Sequence, residues 1–386
     1  MPVFEPGSAE ELAEGLRSAA SRSQTIAIAG HNTKKLMAGP IKPADLTIST
    51  SRLNRILQYE RGDLTISVGA GLPFAELQHF LSGYGQMIAL DPPFSSQATV
   101  GGVLAANCSG PMRRGFGSAR DLVIGLSFAT LKGKIVNSGG MVVKNVAGLD
   151  MGKLLLGSFG TLAVITSANF RVHSLPPETR TFLFAFNDLD AVMLKRNLIL
   201  KGGLQPMAMD ILSPAAATRL SRRGYLLAVR AGGSSAVLAR YARDLDGSDN
   251  LKGDEDSRFW EQVREFTPDF LRRQPSGIVL RISTSLAEIE SVVRSASGPC
   301  ISRAGSGVTY VNLTGWHGLA PVWTTAGEKG WSVAVEFAPD NIRETKELWL
   351  DRDRSHSAST FALMTKIKEM FDPEKLLNAG RLYGRI

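Results

Sequence analysis

The residues able to do chemistry alone in this chain, its five histidines and two cysteines, are scattered rather than grouped. His31, His79, His173, His317 and His356 each stand isolated, with no HxxxxxxH pair, so no metal site is expected. Cys108 and Cys300 form neither a CxxC motif nor a disulfide framework and read as small buried residues. No catalytic residue can be assigned on this basis. Binding is better represented, in three stretches of small residues. "AGHNTK" (29–34) holds closely spaced turn residues that leave backbone N–H groups free to form an anion-binding concavity, with Asn32 and Thr33 as short donors and Lys34 as charge. In "PPFSSQATVGGVLAANCSG" (92–110), Pro92-Pro93 fixes extended backbone and Gly101-Gly102 permits close approach, while Asn107, Ser109 and Gly110 add short polar groups. "KNVAGLDMGKLLLGSFGTLAVIT" (144–166) is punctuated by Gly148, Gly157 and Gly160. Neither GxxxxGK[ST] nor GxGxxG occurs among them. Taken singly, each also fits plain structure: a surface turn, a glycine-tight helix start on a sheet, or helix–strand packing.

The elements that must position these stretches alternate through the N-terminal half. "SAEELAEGLRSAA" reads as a helix with Ser8 as N-cap and Glu11 completing a capping box. "TIAIAG" (25–30) is a buried strand running into glycine. "RILQYERGDLTISVGAG" (55–71) and "DLVIGLSFATLKGKIVNSGG" (121–140) are hairpins turning at "ERGD" and "LKGK". "LPFAELQHFLSGYG" (72–85) is a helix with Pro73 near its start and Gly83 or Gly85 near its end. A strand follows within "GTLAVITSANFRVHSL" (160–175).

Pro176-Pro177 marks the best boundary. Beyond it "TFLFAF", "PMAMDIL", "YLLAVRA", "GIVLRIS", "VTYVNL" and "SVAVEF" read as strands separated by helical patterns, which predicts an α+β sheet covered by helices on one face. The expected division is 1–175, 176–345, and a segment 346–386 that returns to the first domain. A chain of 386 residues can bury separate cores for such a division. Its net charge of +8 is dispersed and carries no nucleic-acid motif, which argues against nucleic acid as a partner. There is no run of about 18 apolar residues, so no membrane span is expected. The acidic N-terminus lacks the basic and apolar segments of a secretory leader, which predicts a cytoplasmic protein.

In their order and spacing the three stretches resemble the FAD-binding domain of the vanillyl-alcohol oxidase / p-cresol methylhydroxylase flavoproteins, over roughly 1–175 and again at "FDPEKLLNAGRLY" (371–383). Within that family, "KNVAGLDMGKLLLGSFGTLAVIT" and "NAGRLY" look most like the FAD-binding subunits of bacterial glycolate oxidases. The resemblance implies an α+β fold with a two-subdomain FAD-binding domain and a second domain with a mainly antiparallel sheet. It further implies that Ala29, Gly30, His31, Asn32 and Thr33 hold the FAD pyrophosphate by backbone N–H groups. Pro92, Pro93, Thr99, Val100, Gly101 and Gly102 would line the pyrophosphate and ribityl chain. Asn107, Ser109 and Gly110 would approach the isoalloxazine. Gly160, Leu162, Val164 and Ile165 would offer backbone to the cofactor, and Asn378 would close over the flavin side. Implied partners are a catalytic flavoprotein subunit and an iron–sulfur subunit, with a small 2-hydroxy acid, glycolate, as substrate. Through that complex the protein could lie peripheral to the inner membrane.

Some positions depart from the family. Related hydroxy-acid dehydrogenases read "GSEGTLG" where this chain has Phe159 in place of the glutamate, and they carry a metal-holding histidine pair missing here. Some relatives tether FAD covalently; here Asn32 rather than His31 falls at the tethering position, and FAD is expected to be noncovalent, with Cys108 an inert neighbour. Two alternatives remain open: a stand-alone FAD oxidoreductase using Arg281 or Arg303 for a carboxylate, arginines that otherwise read as surface ion pairs, and a structural subunit that has lost FAD.

Overall fold

The computed structural model describes residues 2–142, 150–350 and 354–386. The first helix, Ala9–Ser21, is capped by Ser8, whose Oγ accepts the Glu11 N–H at 3.1 Å. Glu11 reaches back to the N–H of Gly7 at 2.7 Å, one residue before the expected Ser8, so the box closes one position early. Leu12, Leu16 and Ala19 bury this helix against Ile26 and Ile48 of a small parallel sheet ordered Val3–Phe4, Leu46–Ser49, Ile26–Ala29. The open edge of that sheet is taken by the C-terminal segment. The Ile26 N–H donates to the Leu376 carbonyl and the Asn378 N–H to the Ile26 carbonyl, both at 2.8 Å. A chain end more than 340 residues away thus completes the strand that leads into "AGHNTK".

The two expected hairpins form one five-stranded antiparallel sheet, ordered Ile56–Glu60, Thr65–Gly69, Val164–Arg171, Val123–Ala129, Ile135–Gly139. The central strand Val164–Arg171 follows directly from the third small-residue stretch, so sheet pairing on both sides fixes where that stretch lies. The helix Phe74–Ser82 has Pro73 at its N-cap and Gly83 at its C-cap, and covers the sheet with Phe74, Leu77 and Leu81.

Residues from Glu178 to Leu350 build a separate nine-stranded sheet with antiparallel pairing throughout. Its strands run Asp249–Lys252, Glu178–Phe186, Tyr225–Gly233, Ala208–Leu212, Cys300–Arg303, Val308–Leu313, Ile278–Ser283, Ser332–Phe337, Trp349–Leu350. The expectation of helices on one face is corrected. Successive side chains of a strand point to opposite faces, and both faces here are apolar where these strands are longest. Phe182, Phe184, Leu227, Val229, Met209 and Ile211 pack with Leu189, Val192 and Leu238, whereas Leu183, Leu226, Ala228, Leu212 and Ile301 pack with Ala216, Phe259, Trp260 and Phe266. Helices on the second face leave one strip uncovered, and that strip meets the small-residue stretches. Among the described residues no helix is long and apolar enough to cross a membrane.

Candidate functional site

The strand Ile26–Ala29 ends and the chain turns sharply, with Asn32 at φ 56° in the left-handed region. Among the described residues, the backbone N–H groups of Gly30, His31, Asn32, Thr33 and Lys34 donate to no protein acceptor. Consecutive unpaired N–H groups are costly unless they meet solvent or an anion. The turn is held rigidly from outside. His31 Nδ1 pairs with the Gln97 carbonyl at 2.9 Å, which ties the first stretch to the second. Arg381 donates to the carbonyls of Lys34 at 2.6 Å, Gly39 at 2.5 Å and Met37. Those carbonyls are therefore occupied, and residues Gly30 to Lys34, whose N–H groups stay free, line a cleft.

That cleft, about 800 Å³, is lined by Ala29, Gly30, His31, Asn32, Thr33, Thr99, Gly101, Gly102, Gly160, Val164, Ile165 and Asn378, with Lys34, Ala105, Ala106, Phe159, Ala163 and Arg381. Four segments distant in sequence meet there. Close packing explains the glycines: a Cβ on Gly30 would lie 2.4 Å from Thr99 Oγ1, and one on Gly101 would lie 2.9 Å from the Ala70 Cβ. Gly160 has φ +69° and would place a Cβ 2.8 Å from Asn378 Nδ2. Asn378 is a clamp: its Oδ1 accepts the Ile28 N–H and its Nδ2 donates to the Phe159 carbonyl, each at 2.8 Å. Free donors at one end and small side chains along the walls suit a long ligand with an anionic part and a flat part. The remaining expected residues lie elsewhere. Val100 and Leu162 turn their side chains into the core, so only their backbone can serve the cleft. Gly110 packs on Asp91, whose carbonyl would lie 2.0 Å from an added Cβ, and Pro92 is buried beside it. Gly148 lies outside the described residues.

Two further pockets lie near the cleft: one shares Ala106 and Phe159 with it, and the other adjoins the first at Met37 and Glu336. The first is lined by Asn107, Phe159, Arg281, Glu336, Trp349 and Tyr383. The other is lined by Pro93, Cys108, Ser109, Arg303, Tyr310 and Glu336. Their polar wall is the uncovered strip of the large sheet. Asp210 lies opposite Arg303, Ile301 opposite Tyr310, and Tyr310 opposite Arg281, which sets Asp210, Arg303, Tyr310 and Arg281 on one face. Arg303 is thus not a surface residue, being 8% exposed and paired with the fully buried Asp210, and Arg281 is half-buried. Sequence reading missed Glu336 altogether, because "SVAVEF" shows only a strand with an acid near its end. Burial pushes the Glu336 carboxyl up to about 7, against the pull of Arg281, Arg303 and Lys34. Burial also lowers Lys34, with Cys108, Glu265 and Glu336 opposing the shift. The Cys108 thiol is pushed up to about 11 by burial, so it is held as the neutral thiol at neutral pH. Glu265 grips the second stretch, accepting from the Phe94 N–H at 2.9 Å and from Ser95 Oγ at 3.1 Å.

Residues 2–139 match the FAD binding domain family, and residues 345–382 match the FAD linked oxidases, C-terminal domain. The chain is 31% identical over 389 residues to the glycolate oxidase subunit GlcE of Escherichia coli (strain K12), covering 98% of each chain. It is 24% identical to the D-2-hydroxyglutarate dehydrogenase of Xanthomonas citri pv. viticola, covering 98% of this chain and 88% of that one. Among solved structures, the 4-ethylphenol oxidase from Gulosibacter chungangensis superposes with a TM-score of 0.73 at 15% identity, over 99% of this chain and 89% of that one, a likeness of fold.

Proposed function

The chain belongs to the FAD-linked oxidoreductases, on the branch of the glycolate oxidase GlcE subunits, and we propose that it is the FAD-binding subunit of a glycolate oxidase complex. The reaction is oxidation of glycolate to glyoxylate. A catalytic flavoprotein subunit and an iron–sulfur subunit are its partners, and the assembly works in the cytoplasm, peripheral to the inner membrane. FAD supplies a two-electron acceptor when bound. The observation that carries the reading is the run of free N–H groups from Gly30 to Lys34, which faces the glycine-lined wall at Gly101 and Gly102. The turn residues bind the pyrophosphate, Thr99, Gly101 and Gly102 leave room for the ribityl chain, and Asn107 and Phe159 border the space for the ring. Attachment is noncovalent: the Cys108 thiol is buried and kept neutral, and His31 is already bonded to Gln97.

The test is direct. The purified chain should carry close to one FAD per chain, all released into the supernatant on acid precipitation. Gly30→Leu should cut FAD retention at least tenfold while leaving circular dichroism unchanged, since the added side chain fills the turn against Thr99. A wild-type protein that stays colourless in excess FAD would sink the reading. Purification from the native host should bring the two partner subunits and glycolate-dependent dye reduction.

A further inference from the structure

Two basic stretches far apart in the sequence, "RLSRR" (219–223) and "LRR" (271–273), meet at one pocket of the large-sheet domain, to which they contribute Arg219 and Arg273. This pocket shares no lining residue with the FAD cleft. Its walls are set by the apolar layer on the second face of the sheet. The helix Pro214–Arg219 buries Ala216 and Ala217 there, beside Phe266. The helix Phe266–Arg273 buries Phe266 and Phe270, which are 5% and 4% exposed. Each arginine is the last residue of its helix. The Arg219 guanidinium lies over both aromatic rings, 5.2 Å from the centroid of Phe266 and 5.2 Å from that of Phe270. A flat cation held against two rings has a defined position rather than a freely sweeping one.

A single cation at the end of a helix is ordinary, because it offsets the partial charge of the last carbonyls. Two of them lining one pocket call for a further reason. Among the described residues, neither guanidinium donates a hydrogen bond or forms an ion pair. Asp269 also lines the pocket, but Arg272 holds its carboxylate at 2.7 Å. Partial burial, and then the like charge of Arg273, lower Arg219 below the ordinary guanidinium value. Like charges this near repel, and no acid of the described chain stands free between them. The side chains of Gln262 and Thr314, in the same lining, make no hydrogen bond either among the described residues. Two free guanidinium forks facing one space match an anion with two charges and several oxygens. A monocarboxylate would leave one arginine uncompensated.

We propose that this pocket binds a phosphoryl dianion, as free phosphate or a phosphate monoester, with Arg219 and Arg273 on its oxygens and Gln262 and Thr314 adding hydrogen bonds. The site is separate from the cofactor cleft and goes beyond the role of FAD-binding subunit. Leu220 and Gln274 complete the lining and would border the organic part of an ester.

The experiment uses the FAD-loaded full chain in phosphate-free buffer. Calorimetric titrations compare inorganic phosphate, glycerol 3-phosphate, a hexaglutamate peptide and acetate at matched ionic strength. Phosphate should bind saturably at about one site per chain, and acetate should give no comparable heat. Arg219→Gln and Arg273→Gln should each weaken phosphate by about tenfold or more, with FAD content unchanged. These substitutions also tell the pocket from the turn at Gly30–Lys34, whose backbone donors they leave in place. Tighter binding of glycerol 3-phosphate than of phosphate identifies an organic ester as the ligand; the reverse order identifies the free ion. Without phosphate, Arg273→Gln should melt no lower than wild type, since it removes one of two facing like charges. Added phosphate should raise the melting temperature of wild type more than that of the variant. Phosphate binding no tighter than acetate overturns the proposal, and so does undiminished binding by Arg273→Gln, an exposed position whose substitution leaves the core intact. A pocket that takes the hexaglutamate peptide but not phosphate overturns it in favour of docking by an acidic protein segment.

Discussion

Glu336 and Asn378 show how much can hang on single side chains here. Burial raises the Glu336 carboxyl above its ordinary value to about 7, so the folded protein binds a proton that the unfolded chain releases. The stability linked to this group is present below the unfolded value and lost as pH rises through about 7. In the absence of FAD, the melting temperature of wild type should therefore fall from pH 5 to pH 8 by more than that of Glu336→Gln. Identical slopes would show that the carboxyl titrates normally. Asn378 belongs to a different class. It satisfies the Ile28 N–H and the Phe159 carbonyl at once, from a backbone at φ 45° that asparagine tolerates better than most residues. Asn378→Leu should cost on the order of 2–4 kcal/mol in urea unfolding, because two polar groups lose their partners. FAD retention should fall with it. Asn378 could be read in the sequence through the motif "NAGR"; its role as a clamp between two distant segments could not.

Among the elements, the last helix and the segment after it matter most to the cleft. Lys368 lies near the end of the helix Arg354–Phe371 and is 3% exposed. Its ammonium donates to the Asp372 carboxylate at 2.5 Å and to the carbonyls of Leu377 at 2.8 Å and Thr161 at 2.7 Å. Asp372 in turn accepts the N–H groups of Leu376 and Leu377. This network bends the chain so that Leu376 and Asn378 reach the edge of the small sheet and, through Thr161, fixes the third cofactor stretch. Lys368→Met would leave the buried Asp372 charge uncompensated, a loss of about 3–5 kcal/mol. Chemical denaturation should show it, together with FAD release at lower denaturant than in wild type. An unchanged midpoint would mean that the segment is held by other contacts. Turn residues and strong alternation made the hairpins and the longer strands legible in sequence. The strands Asp249–Lys252, Cys300–Arg303 and Trp349–Leu350 were not, since their few residues, unlike the apolar run of Ile26–Ala29, mix charged or polar groups with no clear period. The second helical layer over the large sheet was missed for a related reason. A strand buried on both faces reads as a continuous apolar run, and such a run does not say what covers each side.

On the scale of the whole molecule, binding and folding are coupled, because the cleft exists only when residues near 30, 100, 160 and 380 meet. A ligand that binds only the folded chain stabilises it by mass action, about 2.7 kcal/mol at a hundredfold excess over Kd. Adding FAD to the apoprotein should raise the melting temperature by a few degrees, and ADP, which offers only the pyrophosphate end, should give a smaller rise. No shift with either would contradict the cleft's assignment. The sequence by itself determined the class of ligand and the family. Backbone-donating turns, glycine pairs and the closing asparagine motif are local in the chain, so their chemistry survives in one dimension. Only the tertiary structure decided what stands at the far end of the cleft. Arg281, Arg303, Tyr310 and Glu336 come from strands whose sequences say only that they are strands. Antiparallel register sets Arg281, Arg303 and Tyr310 on one face, and the Ala38 N–H, a few residues beyond the first stretch, ties that part of the chain to the Glu336 carbonyl. Register and closure depend on pairing between distant segments, and no local pattern of residues records that.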